Sequence, residues 1–120
     1  MDKIIFIGLG GALGAICRYL LSLIPYKGDF PYMTLLTNLL GAILIGVVVG
    51  MAGKNKEMSK NLTLFLKTGF CGGFTTFSTF SLETLSLFES HRMITGTLYA
   101  VVSVVLCVLG VWIGLFVVDR

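Results

Sequence analysis

The sequence predicts an all-α membrane protein with four transmembrane helices, the third broken near its middle. Three observations carry that prediction. Of 120 residues, 56% are hydrophobic and only 12% charged, and mean hydropathy is +0.95; a soluble domain of this size needs more charge to coat its surface. Charges and prolines gather in short clusters that cut the chain into four apolar windows, each meeting the roughly 20 residues that cross about 30 Å of hydrocarbon. Inside the third window, Gly72-Gly73-Phe74-Thr75-Thr76-Phe77-Ser78-Thr79-Phe80 opens with paired glycines and then alternates hydroxyl and phenyl groups. Glycine weakens a helix, and irregular backbone at membrane depth survives where protein or a cavity receives its polar groups, often around an ion.

Residues 1–120 form a single transmembrane domain. The first span covers about residues 3–24, with Arg18 as its only interior charge. Its apolar run from Ile4 to Ile24 is too long for the hydrophobic region of a signal peptide, so it is kept as mature structure. Pro25 and Pro31 bracket the turn that follows. The uncharged second span, about 33–53, stops at the polar run Lys54-Asn55-Lys56-Glu57-Met58-Ser59-Lys60. The third, about 61–88, carries the interruption, expected over 69–76. Glu89-Ser90-His91-Arg92 then leads to the fourth, about 95–118, which holds no charge.

A formal net charge of +3 suits lipid headgroups and gives no case for nucleic acid. Lys3, Lys54, Lys56, Lys60 and Arg120 place five cations on one side, against three on the other from Arg18, Lys27 and Arg92. So shallow a bias leans toward cytoplasmic termini and permits insertion both ways, hence an antiparallel pair. Four short helices pack side chain on side chain and leave no aqueous lumen, so a pore calls for two copies. Gly10 and Gly14, Gly46 and Gly50, Gly69 and Gly73, and Gly110 and Gly114 stand at the interval that allows close helix contact. Cys17, Cys71 and Cys107 offer neither a disulfide framework nor metal-ligand spacing and are read as small packing residues. With one histidine, in a loop, and no nucleophile beside a base, catalysis has little to stand on.

The chemistry concentrates in the third span. At helical spacing Thr76, Thr79, Phe80 and Glu83 share a face, with Phe77 three residues before Phe80 and hydroxyls on Ser78, Ser81 and Thr84. Phenyl edges attract anions and phenyl faces cations, while hydroxyls donate to a small anion in place of water. Packing against lipid or neighbouring helices is the plainer use of the same rings. Carbonyls freed around Gly72 and Thr75 are hard oxygen ligands suited to sodium; a simple kink is the alternative. Asn38, after Thr34 and Thr37, is either glue between helices or a donor to a pore. Gly96, Tyr99, Ser103, Cys107, Gly110 and Gly114 form a small and polar stripe on the fourth span that reads as an interface or a pore wall. Arg18 and Glu83 are charges inside spans; Arg18 can gather anions at a pore mouth or snorkel to headgroups. Lys67 and His91 are placed at the membrane interface without a role.

These residues resemble the small Fluc (CrcB-type) fluoride channels. The match spans nearly the whole chain through Gly10-Gly11-Ala12-Leu13-Gly14-Ala15-Ile16-Cys17-Arg18-Tyr19, Thr34-Leu35-Leu36-Thr37-Asn38-Leu39-Leu40-Gly41 and, most densely, Gly69 to Phe80. The resemblance implies an antiparallel, dual-topology homodimer in the cell's inner membrane, with two pores along its subunit interfaces that pass fluoride passively in preference to chloride. It implies that Phe77 and Phe80 turn ring edges to fluoride, that Asn38, Ser78 and Thr79 line the anion path, and that the carbonyls of Gly72 and Thr75 hold a central structural sodium ion. Arg18 matches a vestibule arginine, Glu83 a carboxylate near the other end of the path, and Tyr99 and Ser103 a polar track. Cys107 departs from the serine common at its position, and a thiol donates more weakly than a hydroxyl. The rival from another class is a small multidrug-type proton-coupled exporter, which needs a carboxylate midway along the first span; none is there. A membrane subunit that only scaffolds partners is the other alternative.

Overall fold

A computed structural model describes all 120 residues, and every regular element is helical. Three helices are long and apolar enough to cross a membrane: α1 (Asp2–Ser22), α2 (Tyr32–Lys54) and α6 (Met93–Asp119). Between α2 and α6 the chain forms shorter pieces, α3 (Lys60–Thr63), a π-helical stretch (Leu64–Cys71), α4 (Gly72–Phe74) and α5 (Phe77–Glu89). Ser59 caps α3 by accepting the Leu62 N–H at 3.1 Å, the ordinary remedy for an orphan donor in a helix's first turn. At the far end of α5, the Arg92 and His91 amides donate to Leu87 and Phe88 carbonyls at 2.8 and 3.1 Å. That is a Schellman stop, with His91 in the left-handed region at φ 61° where glycine is usual.

Two parallel pairs organise the molecule. In the first, α1 lies along the 64–74 segment so closely that side chains are excluded from the contact. A Cβ on Gly10 or Gly14 would collide with the carbonyl oxygens of Phe65 or Phe70, and one on Gly73 with that of Gly11. In the second, α2 lies along α6, where Gly46 faces the Val111 carbonyl and Gly114 the Ile43 carbonyl. Small residues let backbones approach and gain dispersion contact, the main attraction left between helices in lipid. The regular glycine spacing therefore serves packing within the chain.

The ends are tied separately. Lys54 Nζ donates to the Val118 carbonyl at 2.6 Å at one end. Arg92 pairs with Asp29 at 2.7 Å at the other. Near that second end, Leu35, Leu87 and Tyr99 form the buried core, with Phe30 and Phe80 packed on it. Only 17 of 120 residues are buried, so most of the apolar surface faces lipid or another protein.

Thr75 (φ −83°, ψ 159°) and Thr76 (φ −148°, ψ 119°) are extended, and helical geometry resumes at Phe77. Residues 69–74, which glycine content places in the interruption, are helical. The reason is visible in their packing: Gly69 and Gly73 rest against α1 backbone, so there glycine provides room rather than a bend.

Candidate functional site

A groove of about 590 Å³ opens beside the two extended threonines. One wall is the face of the chain carrying Lys67, Thr68, Cys71, Gly72 and Thr75, continued by Phe77 and Phe80; Asn38 and Gly41 of α2 and Ser103 and Cys107 of α6 complete it. Gly41 has its place for a steric reason, since a Cβ there would strike the Thr75 methyl.

The interruption is held open by side chains. Asn38 Nδ2 donates to the Thr76 carbonyl at 3.0 Å, and the Thr76 N–H donates to Asn38 Oδ1 at 2.7 Å. One amide thus satisfies both polar groups of a backbone unit that a continuous helix would have satisfied itself. Thr76 Oγ1 accepts the Thr79 N–H at 3.2 Å as the N-cap of α5. Thr75 is anchored backward, its N–H and Oγ1 both donating to the Cys71 carbonyl at 3.0 and 2.8 Å.

These bonds have a consequence for the carbonyls. In an α-helix the Gly72 oxygen accepts from residue 76 and the Thr75 oxygen from residue 79. Here the Thr76 amide goes to Asn38 and the Thr79 amide to Thr76 Oγ1. Gly72 and Thr75 therefore lose their i+4 donors, and both lie in the groove wall. Hard, neutral oxygens of this kind fit an alkali cation. No group of three or more His, Cys, Asp or Glu side chains stands where it could hold a metal.

The rings form a connected series toward the Asp29–Arg92 end. Phe77 and Phe80 lie 5.6 Å apart between centroids, tilted by 48°. Phe80 meets Tyr99 at 5.2 Å, and Phe30 meets Tyr99 edge-on at 5.4 Å and 81°. Tyr99 is fully buried and donates to Glu83 Oε1 at 3.3 Å. Phe77, by contrast, is 78% exposed in the single chain. Ser103 Oγ is buried with no hydrogen-bond partner, which marks it as a donor or acceptor awaiting something.

The structure therefore gathers Asn38, Gly72, Thr75, Phe77, Phe80 and Ser103 about one groove, with Cys107. Glu83 and Tyr99 sit behind Phe80, joined to each other. Ser78 and Thr79 occupy the first turn of α5, with Ser78 Oγ 3.4 Å from Thr76 Oγ1. Arg18 is elsewhere: from α1 its Nε donates to the Gly73 carbonyl at 3.2 Å, so part of its guanidinium supports the segment before the interruption. Lys67, expected at the membrane interface, also lines the groove. The signal that could have found it was a cation well inside a span.

Three long apolar helices and a groove lined by rings and hydroxyls beside an irregular backbone define a multi-pass membrane protein. Comparison with known proteins agrees. A family model described as CrcB-like protein, Camphor Resistance (CrcB), matches residues 5–115. A Flavobacterium psychrophilum protein named fluoride-specific ion channel FluC is 42% identical over 120 residues, covering 98% of this chain and 97% of its own. A Geobacter sp. (strain M21) protein of the same name is 42% identical with the same coverage. One from Clostridium perfringens, again so named, is 48% identical over 95 residues, 77% of this chain and 74% of the relative. The chain belongs to the CrcB family of ion channels. It is a multi-pass protein of the cell membrane and not an enzyme, and the exporter reading finds no support among these relatives.

Proposed function

We propose that the chain is a passive, fluoride-selective channel that lowers cytoplasmic fluoride by letting it leave down its gradient. Two copies assemble antiparallel, each inserted in the opposite sense, with two pores along their interfaces. The third span is a broken transmembrane helix, entering the bilayer as residues 60–74 and leaving it as α5. The observation that carries this reading is the Thr75–Thr76 interruption, clamped by Asn38 and flanked by an exposed Phe77 and Phe80 on an open groove.

Fluoride holds its water tightly, so the path must replace that shell with converging donors while binding weakly enough for exit. Asn38 has one N–H left after its two bonds to Thr76. Ser103 Oγ is wholly free, and Ser78 and Thr79 bring hydroxyls from the first turn of α5. The edges of Phe77 and Phe80 carry partial positive charge and complete the shell without a strong bond. Tyr99 behind Phe80 holds the ring in place and occupies the Glu83 carboxylate. Arg18 adds positive potential from the far side of the interruption.

The carbonyls of Gly72 and Thr75, which lack i+4 donors, would hold a sodium ion, and that ion would supply a fixed positive charge beside the groove.

Fluoride-selective electrode recordings from liposomes holding the purified chain test the reading directly. Fluoride efflux far exceeding that of chloride is expected. Phe80→Ile is expected to reduce fluoride efflux by at least tenfold while the protein still elutes as an assembled species, and wild-type liposomes that retain fluoride would sink the proposal.

A further inference from the structure

Lys67 is an exposed charged side chain in the expected third span, with no role in the scheme above. It stands about 10 Å along the helix axis from Lys60, where the third span begins, and a similar distance before Thr75. Its ammonium makes neither an ion pair nor a hydrogen bond, the molecule's one salt bridge being Arg92–Asp29. Yet it lines the same groove as Asn38, Phe77 and Phe80, on the face it shares with Cys71 and Thr75 one and two turns on. An ionisable group inside a span is costly unless it is solvated or paired, and the groove is an opening available to it.

We infer that Lys67 is a further anion-recruiting residue of the conduction path, its unpaired ammonium raising the local concentration of fluoride in the half of the groove that lies away from Glu83. This rests on the channel reading above and deepens it. Within one chain the groove runs from a cation at residue 67 to the rings at residues 77 and 80, behind which stands the carboxylate of Glu83. Inversion of a second copy about the level of Thr75 brings its Lys67 to the depth of the first copy's Glu83, eight residues from the centre on either side. Each pore mouth then carries one lysine and one carboxylate, and the lysine offsets the repulsion that Glu83 would exert on an approaching anion. The recruiting role calls for charge rather than shape.

At roughly 10 Å, with an effective dielectric between about 20 and 80, one charge changes the local anion concentration by about two- to fifteenfold. The test is fluoride efflux from liposomes holding wild type, Lys67→Met, Lys67→Gln and Lys67→Arg, with assembly of each checked by gel filtration and sodium held constant. Both neutral variants are expected to slow efflux by that factor, Lys67→Arg to stay within about twofold of wild type, and the deficit to shrink as an impermeant salt screens the charge. Should Lys67→Met not assemble, the Gln and Arg pair decides the matter. Unchanged efflux in an assembled neutral variant means that the lysine snorkels to headgroups, and equal loss in Lys67→Arg means that it acts through packing; either overturns the inference. Absence of fluoride efflux in wild type would instead overturn the channel reading itself.

Discussion

At the scale of single residues, Asn38 decides whether the interruption can exist. Two extended residues leave polar backbone without helical partners, and the Asn38 amide satisfies both groups of Thr76 at once. Asn38→Ala leaves a part-buried N–H and C=O without protein partners, at a cost on the order of 1 kcal/mol for each hydrogen bond lost. Thermal unfolding in detergent is expected several degrees below wild type, and an unchanged midpoint would show that the clamp is dispensable. Ser103 makes the contrasting case. Its hydroxyl has no partner inside the chain, so Ser103→Ala forfeits no internal hydrogen bond and is expected to unfold within about a degree of wild type. Fluoride efflux should nonetheless fall several-fold if, as proposed, the permeating ion draws on that donor. A drop in stability without a drop in flux would assign Ser103 to the fold alone.

At the scale of elements, what sequence made legible and what it hid have separate causes. Three of the four expected spans, α1, α2 and α6, are helices long and apolar enough to cross a membrane, and they were legible in apolar windows because membrane thickness sets a length that composition alone reveals. Glycine spacing was legible as close packing but not as to which helices meet. A Gly-x-x-x-Gly interval records that a face is bare, and only coordinates show that α1 lies on residues 64–74 and α2 on α6. The bounds of the interruption were hidden for the same reason. Glycine at 69, 72 and 73 looks like helix breaking, whereas Gly69 and Gly73 make room for α1 and the extended residues are two threonines. Asn38 could be recognised as a polar residue needing partners, but its partner, 38 positions on, could not be known. Gly14 and Gly114 carry the corresponding prediction, since a Cβ at either meets backbone that cannot move aside. Gly14→Val and Gly114→Val are each expected to cost several kcal/mol, on the order of an overpacked core, seen as loss of monodisperse protein in detergent. Gly8→Val, with nothing within 4 Å of its added Cβ, should behave as wild type.

At the scale of the whole molecule, one chain leaves much apolar surface uncovered. Phe77 is 78% exposed, and Val104 and Val108 on the groove wall are 57% and 65% exposed. Gly72 and Thr75, whose carbonyls lack i+4 donors, line the same groove. In lipid such oxygens are costly unless a cation or a second protein surface answers them. The inverted second copy proposed above would answer both needs, covering the apolar wall and doubling the carbonyls. Gly72 isolates this level from the others, because an added Cβ there meets nothing within 4 Å inside the chain. Gly72→Leu is therefore expected to leave the protomer's helical content and its two parallel pairs intact while preventing the copies from closing, read as a shift from dimer to monomer in detergent. Replacing sodium with a bulky organic cation should produce the same shift in wild type and little further change in Gly72→Leu, since the carbonyls no longer meet. A Gly72→Leu protein that stays dimeric and keeps a sodium-dependent stability would place both the interface and the cation on another face of the chain.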